Sequence, residues 1–311
     1  MAGEGTPGMV DISAKPDTLR SAVARATVKI GSPATMEIIN EGKSPKGNIF
    51  DAARIAATMG AKRTWDLLPY CHPLPLDSIK VDIAARNLSV EITVSVKAVW
   101  KTGVEMEALT GASIAALTVY DMLKPVDDGL SIESIKLIEK RGGLNSFAEK
   151  FDRRLTAAVL VASDSRHEKD DVSGKVVAKR LGEQGFQVVS FKIVPDDVHR
   201  IAAELKEFCD DLKVDLVMTT GGTGFGQRDV TPEATKAVIE KEAAGIMEAL
   251  RAHGQKRTPL SMLSRGVAGV RGKTVIVNLP GSTRAVSESL DSVFPGLLHL
   301  YRMMEGLGHN H

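Results

Sequence analysis

The sequence predicts two domains of different class: an α+β domain on an antiparallel sheet, then a doubly wound α/β domain. Three observations predict it. The chain has 311 residues, which at about 100–200 residues per domain makes two. Apolar and polar residues alternate strictly over 88–100, the mark of a strand with one buried and one solvated face. Beyond residue 155 short apolar runs alternate with helical segments, the rhythm of a parallel sheet covered on both sides.

In chain order, a helix is expected over 48–61 (NIFDAARIAATMGA). Ile79, Val81 and Ile83 then alternate with Lys80 and Asp82, and 84–87 turns the chain. Leu88, Val90, Ile92, Val94, Val96, Ala98 and Trp100 line one face of the next strand, so the pair reads as a long antiparallel hairpin. A second helix follows over 105–123, giving strands flanked by helices on one face. The stretch 141–154, with two glycines and a run of charge, reads as a linker or a weakly packed helix. It divides the chain into domains at 1–148 and 155–311. In the second, 157–162 (AAVLVA) and 275–277 are covered strands, with helices expected near 173–184, 198–211 and 231–250.

Composition narrows the function classes. Apolar residues make up 43% and charged residues 25%, an ordinary globular balance that excludes wholesale disorder. Forty basic side chains against thirty-nine acidic ones leave a charge of +1, which argues against a nucleic-acid or membrane-surface protein. Two cysteines, Cys71 and Cys209, cannot build a disulfide framework or a multi-cysteine metal site within one chain. The polar, glycine-rich start lacks the apolar core of a signal peptide, and no run approaches the roughly 18 apolar residues of a membrane span. A soluble, cytoplasmic protein is expected.

In an open parallel sheet, ligands bind beyond the carboxyl ends of the strands. Four loops of the second half fall there: Ser163-Asp164 and the polar loop after it, Pro195-Asp196-Asp197, Gly221-Gly222-Thr223-Gly224 running on to Gln227-Arg228-Asp229, and Pro280-Gly281-Ser282. The glycines let backbone N–H groups approach an anion. Ser282 and Thr283 open a helix whose N-terminus favours negative charge. Arg228 adds a positive charge, and Asp196 and Asp229 can hold a hard cation such as Mg²⁺. The plainer alternative makes the glycines mere turns and the aspartates helix caps; Asp197 and Asp164 are read that way. Convergence of four loops favours a phosphate site with a metal.

These residues also carry a resemblance. TTGGTGFGQRDVTPEAT (219–235), VPDD (194–197), LSRGVAG (263–269) and NLPGS (278–282) closely resemble the MoaB/MogA family of molybdenum cofactor biosynthesis proteins. The resemblance implies a molybdopterin-binding fold, usually trimeric or hexameric. It further implies transfer of adenylate from Mg-ATP onto the pterin phosphate, with Asp196 and Asp229 as the catalytic, metal-holding pair. Gly221, Gly222, Thr223, Gly224, Pro280, Gly281 and Ser282 would bind substrate. MoaB-type members share these motifs without assured adenylylating activity, so a non-catalytic pterin-binding or scaffolding module stands as the alternative.

The first half shows no P-loop, dinucleotide fingerprint or metal-ligand spacing. It does gather ionisable groups: Lys46 in a turn, Cys71-His72-Pro73 after an apolar stretch, Glu105 and Glu107 opening a helix, Asp121 and Lys124 closing it. Asp121 and Lys124 are three apart, neighbours on one helical face and suited to relay a proton. On one continuous helix Glu107 and Asp121 would lie about 21 Å apart. Either the glutamates precede the helix on a folded-back segment, or the site combines two subunits, the version preferred. The plainer account has the charges complement the helix dipole.

MVDISAK (9–15), SPKGNIFDAARIA (44–56), AKRTWDLLPYCHPL (61–74), KTGVEMEALTGASIAALTVYDMLK (101–124) and IKLIEKRGG (135–143) closely resemble the MoaC family, cyclic pyranopterin monophosphate synthase. This implies a ferredoxin-like fold, a hexamer with the site at a subunit interface, and no cofactor. It also implies conversion of a cyclised dihydro derivative of GTP to cyclic pyranopterin monophosphate and pyrophosphate. Asp121 and Lys124 would be the central acid–base pair, with Lys46, His72, Glu105 and Glu107 as further catalytic residues. Tyr70, Cys71, His72, Met106 and Glu107 would contact substrate, and Arg54, Lys62 and Arg63 its triphosphate. Two departures stand out: Asn48 where the family has aspartate, and Leu144-Asn145-Ser146 where Lys-Ser-Gly is common, which leaves Lys140 or Arg141 to supply the missing cation. The whole chain thus reads as a fused enzyme of molybdenum cofactor synthesis taking pterin and nucleotide substrates, as a homo-oligomer, trimer or hexamer, with inter-subunit sites. A small-molecule sensor without chemistry is the third reading; the density of acid–base residues speaks against it.

Overall fold

A computed structural model of the protein describes residues 8–164 and 171–306. The middle of the polar loop after Asp164 and the terminal His309-Asn310-His311 lie outside the described residues. The chain divides into two compact units, Met1–Ser146 and Phe147–His311.

The first unit runs β1 (Thr18–Lys29), α1 (Pro33–Asn40), α2 (Ile49–Lys62), the short α3 (Thr64–Leu67), β2 (Ser78–Arg86), β3 (Ser89–Trp100), α4 (Glu105–Leu123) and β4 (Ser131–Gly142). Its strands form one antiparallel sheet in the order β2-β3-β1-β4, the βαββαβ topology of ferredoxin-like folds. The expected hairpin is β2–β3, with two adjustments, the first being that residues 84–86, expected in the turn, continue β2 as far as Arg86. Leu88 is not on the buried face; it sits in the turn with Asn87, both at positive φ, and is 38% exposed. Val90, Ile92, Val94, Val96 and Ala98 are fully buried.

Helix α4 lies on this sheet through small residues. Ala22, Ala24 and Ala26 of β1 and Ala108, Ala112, Ala115 and Ala116 of α4 all belong to the buried core. Across the helix pair the approach is closer still. A Cβ on Gly111 of α4 would stand 3.0 Å from the Ala57 carbonyl oxygen of α2, and one on Gly60 would stand 2.9 Å from Ile114. Asn48 caps α2, its Oδ1 accepting the Asp51 N–H at 3.1 Å. Aspartate would do the same, so the departure at this position leaves the cap intact.

The second unit carries β5 (Thr156–Ala162), α5 (Ser173–Glu183), β6 (Gln187–Val194), α6 (Val198–Lys206), β7 (Leu216–Thr220), α7 (Thr231–Lys236), β8 (Lys241–Glu242), α8 (Ala244–Gln255), β9 (Ala268–Arg271), β10 (Thr274–Leu279), α9 (Thr283–Val293) and α10 (His299–Met304). The sheet order is β6-β5-β7-β10-β9-β8. β6, β5, β7 and β10 are parallel, while β9 and β8 join antiparallel, so the sheet is mixed rather than purely parallel. The helix expected over 231–250 is broken: α7 ends at Lys236, the two residues of β8 pair with β9, and α8 begins at Ala244. β5, β7 and β10 are buried along almost their whole lengths, and two core clusters cover their two faces. Among the described residues no helix is long and apolar enough to cross a membrane.

The α2–α4 approach has a measurable consequence. Gly111→Val puts a branched side chain 3.0 Å from a backbone oxygen that cannot move cheaply. Urea unfolding is expected to show a loss of about 1–3 kcal/mol, the usual penalty of overpacking.

Candidate functional site

The candidate side chains fall into three groups. In the first unit, Lys46 Nζ lies 2.7 Å from Asp121 Oδ2 and donates to the Asp121 carbonyl at 2.9 Å. Lys124 Nζ lies 2.7 Å from Asp121 Oδ1. Flanked by two ammonium groups, the Asp121 carboxyl is held down to about 2, and Lys124 is raised by the same contact. At neutral pH the trio is ionic, with Asp121 a carboxylate and Lys124 the proton carrier. All three are largely exposed.

The second group gathers at the opposite end of α4. Glu105 and Glu107 sit in its first turn, so they do not precede the helix on a folded-back segment. Glu107 is 4% exposed, and burial first, then the Glu105 charge, pushes its carboxyl up to about 7. The Cys71 thiol is raised by burial and by the Glu107 charge. His72 Nε2 is 2.7 Å from the Val10 carbonyl. A carbonyl only accepts, so Nε2 carries a hydrogen and Nδ1 is the ring atom left for a ligand. Asp11 is held low chiefly by the Ser13 N–H, with Lys101 and His72 contributing charge. Tyr70 and Met106 are exposed nearby in sequence.

Beside Glu105 opens a cavity of about 450 Å³ lined by Lys15, Arg20, Lys140 and Arg141. Lys140 Nζ lies 3.5 Å from Glu105. The double glycine shapes this wall: Gly143, at φ +89, leaves room for the Arg20 guanidinium, which would stand 2.1 Å from a Cβ there. Arg20 and Lys15 escape a reading that looks for clusters in sequence, because they precede their partners by eighty residues and more. Their one signal is their place in and just after MVDISAK. Arg54, Lys62 and Arg63 do not line this cavity; Arg54 pairs with Asp51 on its own helix.

In the second unit Ser163-Asp164, Pro195-Asp196-Asp197, the Gly221–Asp229 loop and Pro280-Gly281-Ser282 follow the carboxyl ends of β5, β6, β7 and β10. Gly221 and Gly222 adopt φ +95 and +61. A Cβ on Gly221 would stand 2.4 Å from the Ala162 carbonyl oxygen, and one on Gly222 2.4 Å from Thr231 Oγ1 and 3.1 Å from Asp196 Oδ1. Only glycine meets both demands. Thr231 Oγ1 donates to the Gly221 carbonyl at 3.0 Å, and Thr220 Oγ1 to the Pro280 carbonyl at 2.7 Å, tying two loops together. Thr223 is buried, and Gly281 packs against Gly221. Ser282 caps α9, accepting the Ala285 N–H.

Asp229 turns its own loop by accepting the Gly226 N–H at 2.7 Å. Asp196 is raised by burial, then by the charges of Asp164 and Asp229. Its Oδ1 is buried with no hydrogen-bond partner among the described residues. Asp197 caps α6, accepting the Arg200 N–H at 2.9 Å, as read from sequence. Asp164 does something else: it accepts the Asp196 N–H at 3.2 Å and pairs with Arg228 Nε at 2.8 Å. A cap bonds the helix following it, whereas Asp164 bridges two loops. Among the described residues no group of three or more His, Cys, Asp or Glu could hold a metal. Two carboxylates with one unsatisfied oxygen nevertheless fit Mg²⁺, which takes one or two carboxylates and completes its shell with water and phosphate.

Residues 9–143 match the MoaC family and residues 158–299 match the family described as "Probable molybdopterin binding domain". The "Molybdenum cofactor biosynthesis bifunctional protein" of Chlorobaculum tepidum is 38% identical over 307 residues, covering 98% of this chain and 97% of that one. The "Cyclic pyranopterin monophosphate synthase" of Thermomicrobium roseum is 50% identical over 141 residues, 45% of this chain and 84% of that one. A solved structure of the molybdopterin biosynthesis enzyme MoaB from Thermus thermophilus shares 40% identity, with a TM-score of 0.46, over 49% of this chain and 97% of that one.

Glu107 sets a pH dependence whose sign follows from its shift. A carboxyl raised from 4.5 to about 7 on folding holds its proton more tightly folded than unfolded. It therefore destabilises the fold as pH climbs through that window, and most above it. Glu107→Gln is expected to be more stable than the parent at pH 8 by up to about 3 kcal/mol. Denaturant unfolding at pH 4 is expected to show the two alike.

Proposed function

Because the chain belongs to the family of bifunctional molybdenum cofactor biosynthesis proteins, we propose that each half performs its own step of that synthesis. The first half converts a cyclised dihydro derivative of GTP into cyclic pyranopterin monophosphate with release of pyrophosphate. One observation carries this reading: two sets of acid–base groups stand at opposite ends of a single continuous helix, α4. The ionic Lys46–Asp121–Lys124 trio supplies a permanently charged carboxylate and an ammonium acid. The buried Glu107, near 7, can give or take a proton at working pH. The cavity of Lys15, Arg20, Lys140 and Arg141 suits a triphosphate, with Lys140 and Arg141 standing in for the lysine missing after Gly143.

The two groups are about 21 Å apart along α4, too far for one small substrate. We infer that two copies of the chain supply one site, so the protein works as a homo-oligomer, trimer or hexamer. The plain consequence is complementation. Asp121→Asn or Lys124→Ala is expected to lower conversion of purified substrate by about 100-fold or more. Mixed assemblies of Lys124→Ala with His72→Ala chains are expected to regain activity, because some interfaces then hold one intact site. No loss in the single variants would remove the synthase reading; loss without regain would remove the shared site.

The second half binds molybdopterin and adenylylates it. The pterin phosphate oxygen attacks the α-phosphorus of ATP, a phosphoanhydride bond forms, and pyrophosphate leaves. Asp196 and Asp229 would hold Mg²⁺, which supplies positive charge to the phosphates when bound. The Gly221–Gly224 turn and the Ser282 cap present backbone N–H groups to the pterin phosphate. A cavity of about 350 Å³ beside Pro280 and Ser282, walled by Leu250 and His253, has room for the fused ring. The unsatisfied Asp196 Oδ1 is the observation supporting the metal. The second reading, carried by the motifs that MoaB-type members share, is a half that binds pterin without turnover. Formation of adenylylated molybdopterin from Mg-ATP, abolished in Asp229→Asn, is expected. Tight binding with no product would establish the second reading instead.

A further inference from the structure

We propose that Arg265, which reaches the second-unit site only through other residues, is the positioning residue of its phosphate loop; this rests on the phosphate-binding reading above. Among the described residues its hydrogen bonds, ion pair and ring contact all fall on residues 223–233. Arg265 Nε donates to the Gly224 carbonyl at 2.6 Å and Nη2 to the Asp229 carbonyl at 2.5 Å. Its Nη1 pairs with Glu233, its own N–H donates to the Thr223 carbonyl at 3.0 Å, and its guanidinium lies 5.4 Å from the Phe225 ring centre. Every side-chain nitrogen is thus committed to residues 224–233. That distinguishes it from Arg228, which is exposed and, among the described residues, ion-paired with Asp164.

The consequence follows from peptide geometry. A trans peptide is planar and points its N–H opposite to its C=O. Drawing the carbonyls of Thr223, Gly224 and Asp229 toward Arg265 turns the N–H groups of Gly224, Phe225 and Val230 the other way. None of those three N–H groups has a protein partner among the described residues. A forked, planar cation suits this task, because it can bridge two carbonyls 5 residues apart in sequence at fixed angles. Lysine delivers the same charge from a single flexible point. The pair with Glu233, in the first turn of α7, sets the fork against the helix that follows Asp229. The aspartate and the loop amides are thereby oriented by one side chain.

The test is Arg265→Lys in the full-length chain, with two independent readouts. Hydrogen exchange is expected to quicken at the amides of 222–230 while the rest of the second unit keeps its protection. Anaerobic titration with molybdopterin is expected to give an affinity at least 10-fold weaker than the parent. Glu233→Gln, which removes one anchor of the fork, is expected to shift both readouts the same way by 2- to 5-fold, and serves if the lysine variant fails to fold. Unchanged exchange over 222–230 in a folded variant would overturn the proposal, as would parental affinity for molybdopterin. Failure of the parent chain itself to bind molybdopterin would instead overturn the phosphate-site reading, and the exchange measurement would still decide the role of Arg265.

Discussion

The first unit depends on the close seating of α4. Alanines and glycines on α4, α2 and β1 let the helix settle against the sheet and against its neighbour with little side-chain volume between. Ionisable groups stand at the two ends of α4: Glu105 and Glu107 at one, Asp121 and Lys124 at the other. The environments diverge accordingly. The buried end raises a carboxyl, and the open end, ringed by ammonium groups, depresses one. One rigid element thus supplies both a proton donor poised near neutrality and a carboxylate that stays charged.

The second unit reaches its site by a different route. There the side chains act mostly on backbone. Thr220 and Thr231 donate to main-chain carbonyls of other loops, Asp229 and Ser282 accept main-chain N–H groups of their own loop and helix, and Asn278, buried between strands, accepts the Val267 N–H and donates to Thr219 and Thr235. The result is a concave surface of amides whose direction is fixed from behind. Such preorganisation favours an anion because nothing needs to reorganise when it arrives.

What the sequence made legible follows the same division. The β2–β3 hairpin and α2 and α4 were plain, because their periods were unbroken and their apolar residues large or numerous. β1 and β4 were not read. β1 buries alanines, which carry no strand signal, and its register against β4 shifts twice, which scrambles the alternation of β4. The break between α7 and α8 was hidden because its strand is two residues long. At the sites, motif residues of the loops stand out in the sequence, whereas Asp164 reads there as a cap. Nothing local reveals that a side chain will cross to another loop. Arg20 was missed for the same reason: its partners lie on strands and turns far along the chain.

The two thiols have unequal fates. Cys209 is buried, and that burial pushes its thiol up to about 11, so it is a poor nucleophile under ordinary conditions. Cys71 is partly exposed, close enough to Glu107 to feel its charge. The difference in exposure makes Cys71 the thiol that an alkylating dye meets first, which would place a fluorescent reporter in the first unit without engineering any residue.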